Sequence, residues 1–355
     1  MDWRMRSEMN GDVVYFSYLE EQKLENYKQV FIWDMDKTYL DTSIDSLSGL
    51  MQAVLEKAFA KRNVPGTRTL LRALSKQFEQ NNADFPLFFI TASPPQMEER
   101  IFEKLSYDGI APFGSFFKDN LKNLKPGRLA RLTKQVGYKL QALLQLRVSL
   151  HPEVKQICWG DDSESDAVIY NIYSDICARR ISEDDIRKIL ASFFVTGDQV
   201  ETILKFQEMI PANDPIEKIY INLATDTDPE YYLKFGRRTF PTYNTFQAAL
   251  DLFQDKILSI KDVSDVFQDM VFNYGFTVDE LMKSFDEMIR RRSLGVSAYE
   301  ELRSYFLDQY LIREDFKPSM EPMKEKTIKA GRVYELEGEL EPWVMENIDY
   351  LNDYR

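Results

Sequence analysis

Three short apolar runs, each closing on a polar cluster and each followed by helical periodicity, pattern the first half of the chain. "QVFIW" (29–33) precedes a helix expected from Ile44 to Arg62, "LFFIT" (87–91) one from Gln96 to Leu105, and "QICWG" (156–160) one near Ala167. Runs of this kind belong in sheet interiors, and their alternation with helices predicts a parallel sheet with helices on its faces. In such sheets ligands bind outside the carboxyl ends of the strands, where these polar clusters fall.

Farther along, "ISEDDIRKIL" and "TGDQVETILKF" read as two helices capped by Ser182 and Asp198, with Asp185 and Glu201 three residues on. "EKIYINLAT" reads as another core strand, so residues 174–217 are expected to be a helical insertion before the sheet resumes. Beyond Lys256 the pattern is helical. Leu281, Phe285, Met288 and Ile289 share one face behind a Thr277 to Glu280 capping box, and Arg290, Arg291 and Arg292 close that helix where positive charge suits its dipole. The expected organisation is an N-terminal segment (1–25), an α/β catalytic domain (26–256), a helical region (257–316) and an acidic tail (317–355), whose part from Tyr334 on reads as either a docked arm or a mobile segment.

Composition narrows the classes. With 355 residues, 44% of them apolar, the chain can fill a real core, and its net charge of −13 repels phosphate backbones, which argues against nucleic acid as a partner. The first residues lack an apolar leader and no window approaches a membrane span, so a soluble, cytoplasmic protein is expected. Two cysteines, Cys158 and Cys177, read as buried thiols rather than a disulfide framework. The single histidine, His151, excludes most histidine-built zinc sites. Any chemistry must therefore be run by carboxylates, hydroxyls and lysines.

Those residues gather at the predicted strand ends. The first supplies Asp34, Asp36 and Thr38, the second Thr91 and Ser93, the third Asp161, Asp162 and Asp166; the helix "QVGYKLQALLQL" carries Lys139 near its expected start. This set suits phosphoryl transfer through an aspartyl phosphate, because a carboxylate attacks phosphorus only when a cation suppresses the repulsion of two anions. Asp34 is the candidate nucleophile and Asp36 the acid and then base. Asp34, Asp36, Asp161 and Asp166 are candidate Mg²⁺ ligands, Thr91 and Lys139 candidate stabilisers of the phosphoryl oxygens, and Thr38 and Ser93 candidate substrate contacts. Arg237 and Arg238, with Lys234 among aromatics, are a further candidate phosphate-facing patch; a solvated turn is the alternative. An EF-hand loop fits poorly, since Tyr39 replaces the needed glycine and Asp45 the closing glutamate.

"DMDKT", the Thr91 strand end, Lys139 and "GDDSESD", in that order, resemble the four motifs of the haloacid dehalogenase superfamily. That resemblance implies a Rossmann-like core, a small helical cap or insertions, and Mg²⁺-dependent phosphatase activity. A narrower likeness is to the catalytic domain of the actin-patch phosphatidate phosphatases: Pro65 and Gly66 ahead of a helix, Thr91, Ser93 and Pro94, "APFGSFFKD", Tyr138 with Lys139, and Gly160, Asp161, Asp166 and Tyr170. It runs from about Gln29 to Tyr173 and implies a phosphatidate substrate at a membrane surface. Lys37 stands where that family tends to carry an acid and Ser163 where it tends to carry a glycine. The expected substrate is a phosphorylated small molecule or a lipid headgroup. A catalytically silent scaffold binding a protein through the helical region or acidic tail is the alternative from another class.

Overall fold

The computed structural model describes residues 3–18, 24, 27–41, 62–119, 129–163, 165–322, 325–328, 331–334 and 342–352. The helix expected from Ile44 lies outside them apart from Arg62. The chain forms two compact units. The first comprises Met1–Arg62, Phe85–Pro241 and Pro342–Arg355; the second comprises Asn63–Asp84 and Thr242–Glu341.

The first unit is α/β, as expected. Among the described residues a sheet of eight strands runs in the order β1-β2-β5-β4-β3-β6-β7-β8. These are β1 (Glu8–Asn10), β2 (Val13–Ser17), β3 (Gln29–Asp34), β4 (Leu87–Ile90), β5 (Gly114–Lys118), β6 (Lys155–Asp161), β7 (Ile216–Asn222) and β8 (Thr239–Thr242). Pairing is parallel from β5 through β4, β3 and β6 to β7, whereas β1 and β2 extend the β5 edge antiparallel. The two edge strands come from the N-terminal segment and were not foreseen; their short hairpin follows from Gly11, whose φ of 64° sits in the left-handed region.

Side-chain alternation on β3 sends Val30, Ile32 and Asp34 to one face and Phe31 and Trp33 to the other. The first face packs in a core with helices α3 (Leu129–Ser149) and α4 (Asp166–Ala178), α2 being Glu98–Asp108 and α1 Thr67–Glu79. Every residue of α4 from Asp166 to Cys177 is buried, which explains a sequence apolar nearly all round. On the other face Trp33, Trp159 and Tyr220 sit opposite one another across β3, β6 and β7, with ring centroids 4.7 Å apart in each successive pair. Such cross-strand aromatic rows fix register, because a slip of one residue would turn them to the wrong face.

Helices α5 (Glu183–Ser192) and α6 (Gly197–Met209) lie between α4 and β7. Ser182 caps α5 by accepting the Asp185 N–H. The cap of α6, however, is Thr196, with Gln199 closing the box; Asp198 lies within the first turn, where its charge still suits the dipole.

The second unit holds α1 and helices α7 (Thr245–Gln254), α8 (Ile260–Tyr274), α9 (Val278–Arg290) and α10 (Val296–Asp308). The Thr277 to Glu280 capping box forms as expected, and Arg290 pairs with Glu287. Phe246, Phe267, Phe285 and Phe306 meet in its core. The boundary expected at residue 256 therefore differs from the observed division, since 63–84 and 242–256 cluster with the C-terminal helices. The cause is packing over long sequence separation: Thr69 bonds Asp269 and Gln77 bonds Asp262, and a Cβ on Gly66, already at φ 81°, would meet Met270 and Thr245 at 3.1 Å.

Residues 342–352 form a docked arm on the first unit. The backbone N–H groups of Arg237 and Arg238 donate to the Pro342 and Trp343 carbonyls, each at 3.0 Å. The Lys218 ammonium, 2% exposed, lies 5.4 Å from the Trp343 ring, with Tyr220 and Phe240 also around it. Tyr350, 3% exposed, donates its hydroxyl to Asp175 at 2.5 Å.

Tyr350→Ala should lower stability by about 3 kcal/mol, the usual cost of removing a buried aromatic. Denaturant unfolding would measure it, and a loss under about 0.5 kcal/mol would mean the arm is not docked in solution. Both thiols are free and buried; burial pushes Cys158 up and Cys177 up to about 12. Because the thiolate is the reactive form, iodoacetamide at neutral pH should leave both unmodified in the native protein and label both after unfolding, as mass spectrometry would read.

Candidate active site

Parallel register brings three strand ends together. Asp34 is opposite Ile90 and Trp33 opposite Trp159, so Asp34, Thr91 and Asp161 emerge at one edge of the sheet. Asp34 shares its face with Val30 and Ile32, the face that α3 covers, and Lys139 reaches it from there. The Lys139 ammonium, 1% exposed, lies 2.7 Å from Asp34 Oδ1 and 2.5 Å from Asp166 Oδ1. Lys139 is not near the start of its helix, as expected, but its eleventh residue, because α3 begins at Leu129. A mid-helix lysine is held rigidly, which a frayed first turn would not ensure.

Asp166 has both oxygens engaged. Its Oδ1 meets Lys139 and its Oδ2 accepts the Asp161 N–H at 3.2 Å. This requires Gly160: a Cβ there would lie 2.4 Å from Asp166 Cβ and 2.5 Å from its Oδ2. Asp161 Oδ1 in turn accepts the Ser163 N–H at 2.5 Å.

Carboxylate oxygens of Asp34, Asp161 and Asp166 lie within 4.8 Å of one another, and all three residues are buried. Among the described residues three buried carboxylates gather around one ammonium, an environment suited to a hard cation with oxygen ligands. Among the described residues the donor set is all carboxylate, with no histidine or cysteine to favour a softer metal, and it fits Mg²⁺. Asp36 is half-buried and accepts the Thr91 hydroxyl at 3.1 Å. Thr91 is further fixed by the Ser93 N–H on its hydroxyl and the Tyr138 hydroxyl on its carbonyl. Thr38 is 2% exposed, and its hydroxyl has no hydrogen-bond partner among the described residues. A buried hydroxyl in that state costs free energy, which a bound oxyanion would offset.

The structure thus brings together Asp34, Asp36, Thr91, Lys139, Asp161 and Asp166, with Thr38 and Ser93 on the adjoining turns. It does not bring Arg238 there. Arg238 is fully buried, 2.6 Å from Asp214 and 2.8 Å from Ser174 Oγ. Asp214 precedes the first residue of β7, and Ser174 is about 12 Å along α4 from Asp166, so this pair belongs to the amino-end side of the sheet. Arg237 adjoins it, donating its backbone N–H to Pro342. Adjacent arginines among aromatics looked like a patch because the partner, Asp214, is remote in sequence.

Two residues given no role from the sequence also contribute. Asp162 accepts from the Ala224 N–H and the Thr227 hydroxyl, and Asn222 donates to the Lys37 carbonyl at 3.3 Å, so the loops after β3, β6 and β7 are tied together. The second acid in "GDDSESD" was the signal for Asp162; nothing local marks Asn222.

Residues 29–193 match the family model described as phosphatidate phosphatase APP1, catalytic domain. The resemblance read from the motifs is found over that stretch, and it is to a phosphatase catalytic domain. No curated protein and no solved structure shows a significant match to the chain. Among the described residues no helix is long and apolar enough to cross a membrane.

Gly160→Ala should drive Asp166 away from Lys139 and cost about 1 to 3 kcal/mol. Thermal unfolding checks it; an unchanged midpoint would mean that β6 and α4 can separate freely at this contact.

Proposed function

We propose that the protein is a Mg²⁺-dependent phosphomonoesterase of the haloacid dehalogenase type, working through an aspartyl phosphate on Asp34. The observation that carries this reading is Lys139 bridging Asp34 and Asp166 within a buried acidic trio at three adjacent strand ends. Ion pairs that only stabilise a fold are rarely buried with surplus charge of one sign.

In this scheme a carboxylate oxygen of Asp34 attacks phosphorus, and the ester P–O bond breaks as Asp36 gives its proton to the leaving oxygen. Asp36, now a carboxylate, takes a proton from water, whose oxygen attacks the acyl phosphate and frees both phosphate and Asp34. Lys139 and Thr91 hold the equatorial phosphoryl oxygens throughout, and Thr38 adds a further donor. Asp166 keeps Lys139 and the Asp161 amide in place. Asp34, Asp161 and the Asp36 carbonyl would hold Mg²⁺, with Asp166 completing the acidic set; bound there, the ion neutralises charge between nucleophile and phosphate.

Phosphatidate is the second reading of the substrate, favoured by the family match over 29–193. The net charge of −13 weighs against an anionic lipid surface.

Phosphate release should be measured with and without Mg²⁺ from soluble phosphomonoesters and from phosphatidate in mixed micelles. Asp34→Asn should abolish it while the protein stays folded, and Lys139→Ala should slow it on the order of 10² to 10³, as for loss of one transition-state donor. Full turnover by Asp34→Asn, or in EDTA, would overturn the scheme. Release from phosphatidate alone would select the lipid reading.

A further inference from the structure

Resting on the phosphatase reading of the site, we propose that Lys37 binds a second anionic group carried by the same substrate molecule. The preferred substrate class would then be phosphomonoesters bearing another phosphate, phosphonate or carboxylate a few atoms from the scissile phosphate.

Lys37 stands between Asp36 and Thr38 and is exposed, whereas Asp34 and Thr38 are buried below it. Its backbone is fixed in the left-handed region at φ 59°, an uncommon conformation for a residue that is neither glycine nor asparagine. The Lys37 N–H donates to the Leu40 carbonyl at 2.8 Å, and the Lys37 carbonyl accepts from Asn222 at 3.3 Å. Strain of this kind persists only where the surroundings hold it, and here it sets the origin of the side chain at the rim of the acidic cluster.

The amine itself is only lightly engaged. Among the described residues its hydrogen bond is to Ser163 Oγ at 3.1 Å, which leaves two of three ammonium donors for a ligand. The neighbouring acids are committed elsewhere: Asp36 to Thr91, Asp161 to the Ser163 N–H, and Asp162 to Ala224 and Thr227. A lysine kept for structure would be expected to pair with one of them. A second anion approaching this carboxylate-rich floor is repelled unless a cation meets it, and Lys37 is a cation at the rim, on the loop that carries the leaving-group acid.

The test uses full-length protein, propyl phosphate, and ω-phosphonoalkyl phosphates with chains of about two to six carbons, spacings within reach of a lysine three residues from the nucleophile. The phosphonate is not hydrolysed, so one ester bond is read in each case. The expected result is a kcat/KM about tenfold higher for the best phosphonate than for propyl phosphate, carried by KM. In Lys37→Asn, which keeps a residue tolerant of positive φ, the ratio should fall to near one, and in Lys37→Glu it should invert. A ratio taken within one preparation cancels any loss of folded protein. Hydrolysis of both esters with the same ratio in all three proteins would overturn the role of Lys37 and leave the phosphatase reading standing. Hydrolysis of neither by the wild type would overturn the phosphatase reading, and this inference with it.

Discussion

A buried ammonium shared between two buried carboxylates constrains most of this site. Lys139 could not be desolvated without Asp34 and Asp166, nor could they be packed side by side without it, since an isolated buried charge costs several kcal/mol. Meeting that requirement demands that α3 cross the carboxyl end of β3, that α4 begin with an acid against β6, and that residue 160 lack a side chain. Asp161 adds a third buried carboxylate to the pair, and the three together form a group that could hold a metal ion. Architecture and proposed chemistry thus share one electrostatic condition.

Much of this was legible in the chain. The three apolar runs ending in acids or hydroxyls gave β3, β4 and β6, and parallel pairing put their ends together because strand order and helix crossovers allow little else. The Ser182 and Thr277 caps were readable because capping is local. What stayed hidden depended on partners distant in sequence. Arg238 pairs with Asp214, α1 packs with α8, and Trp343 covers Lys218. None of these has a periodicity or spacing to announce it. The misplaced cap on α6 is different, since Thr196 and Asp198 are both good capping residues and only the backbone conformation decides between them.

The C-terminal arm changes how the acidic end of the chain is understood. For residues 342–352 the aromatic and aliphatic positions between the acids are contacts: Trp343 lies over Lys218, and Tyr350 reaches the Asp175, Arg180, Asp214 and Arg238 network at the sheet's amino-end side. That network uses Arg238, one of the two arginines the sequence offered for phosphate, and leaves anion handling in the proposed scheme to Lys139, Thr91 and Lys37. The sheet therefore separates two charge clusters, one of paired arginines and aspartates at its amino end and one rich in carboxylates at its carboxyl end.

The central claim is that Asp34 becomes covalently phosphorylated. Acid quenching of the wild-type protein during turnover, followed by peptide mass spectrometry, should find phosphate on the peptide containing Asp34, as a linkage stable to acid and cleaved by hydroxylamine. Substrate consumed at full rate with no phosphate on that peptide at any quench time would contradict the account, and would mean that water attacks the ester directly.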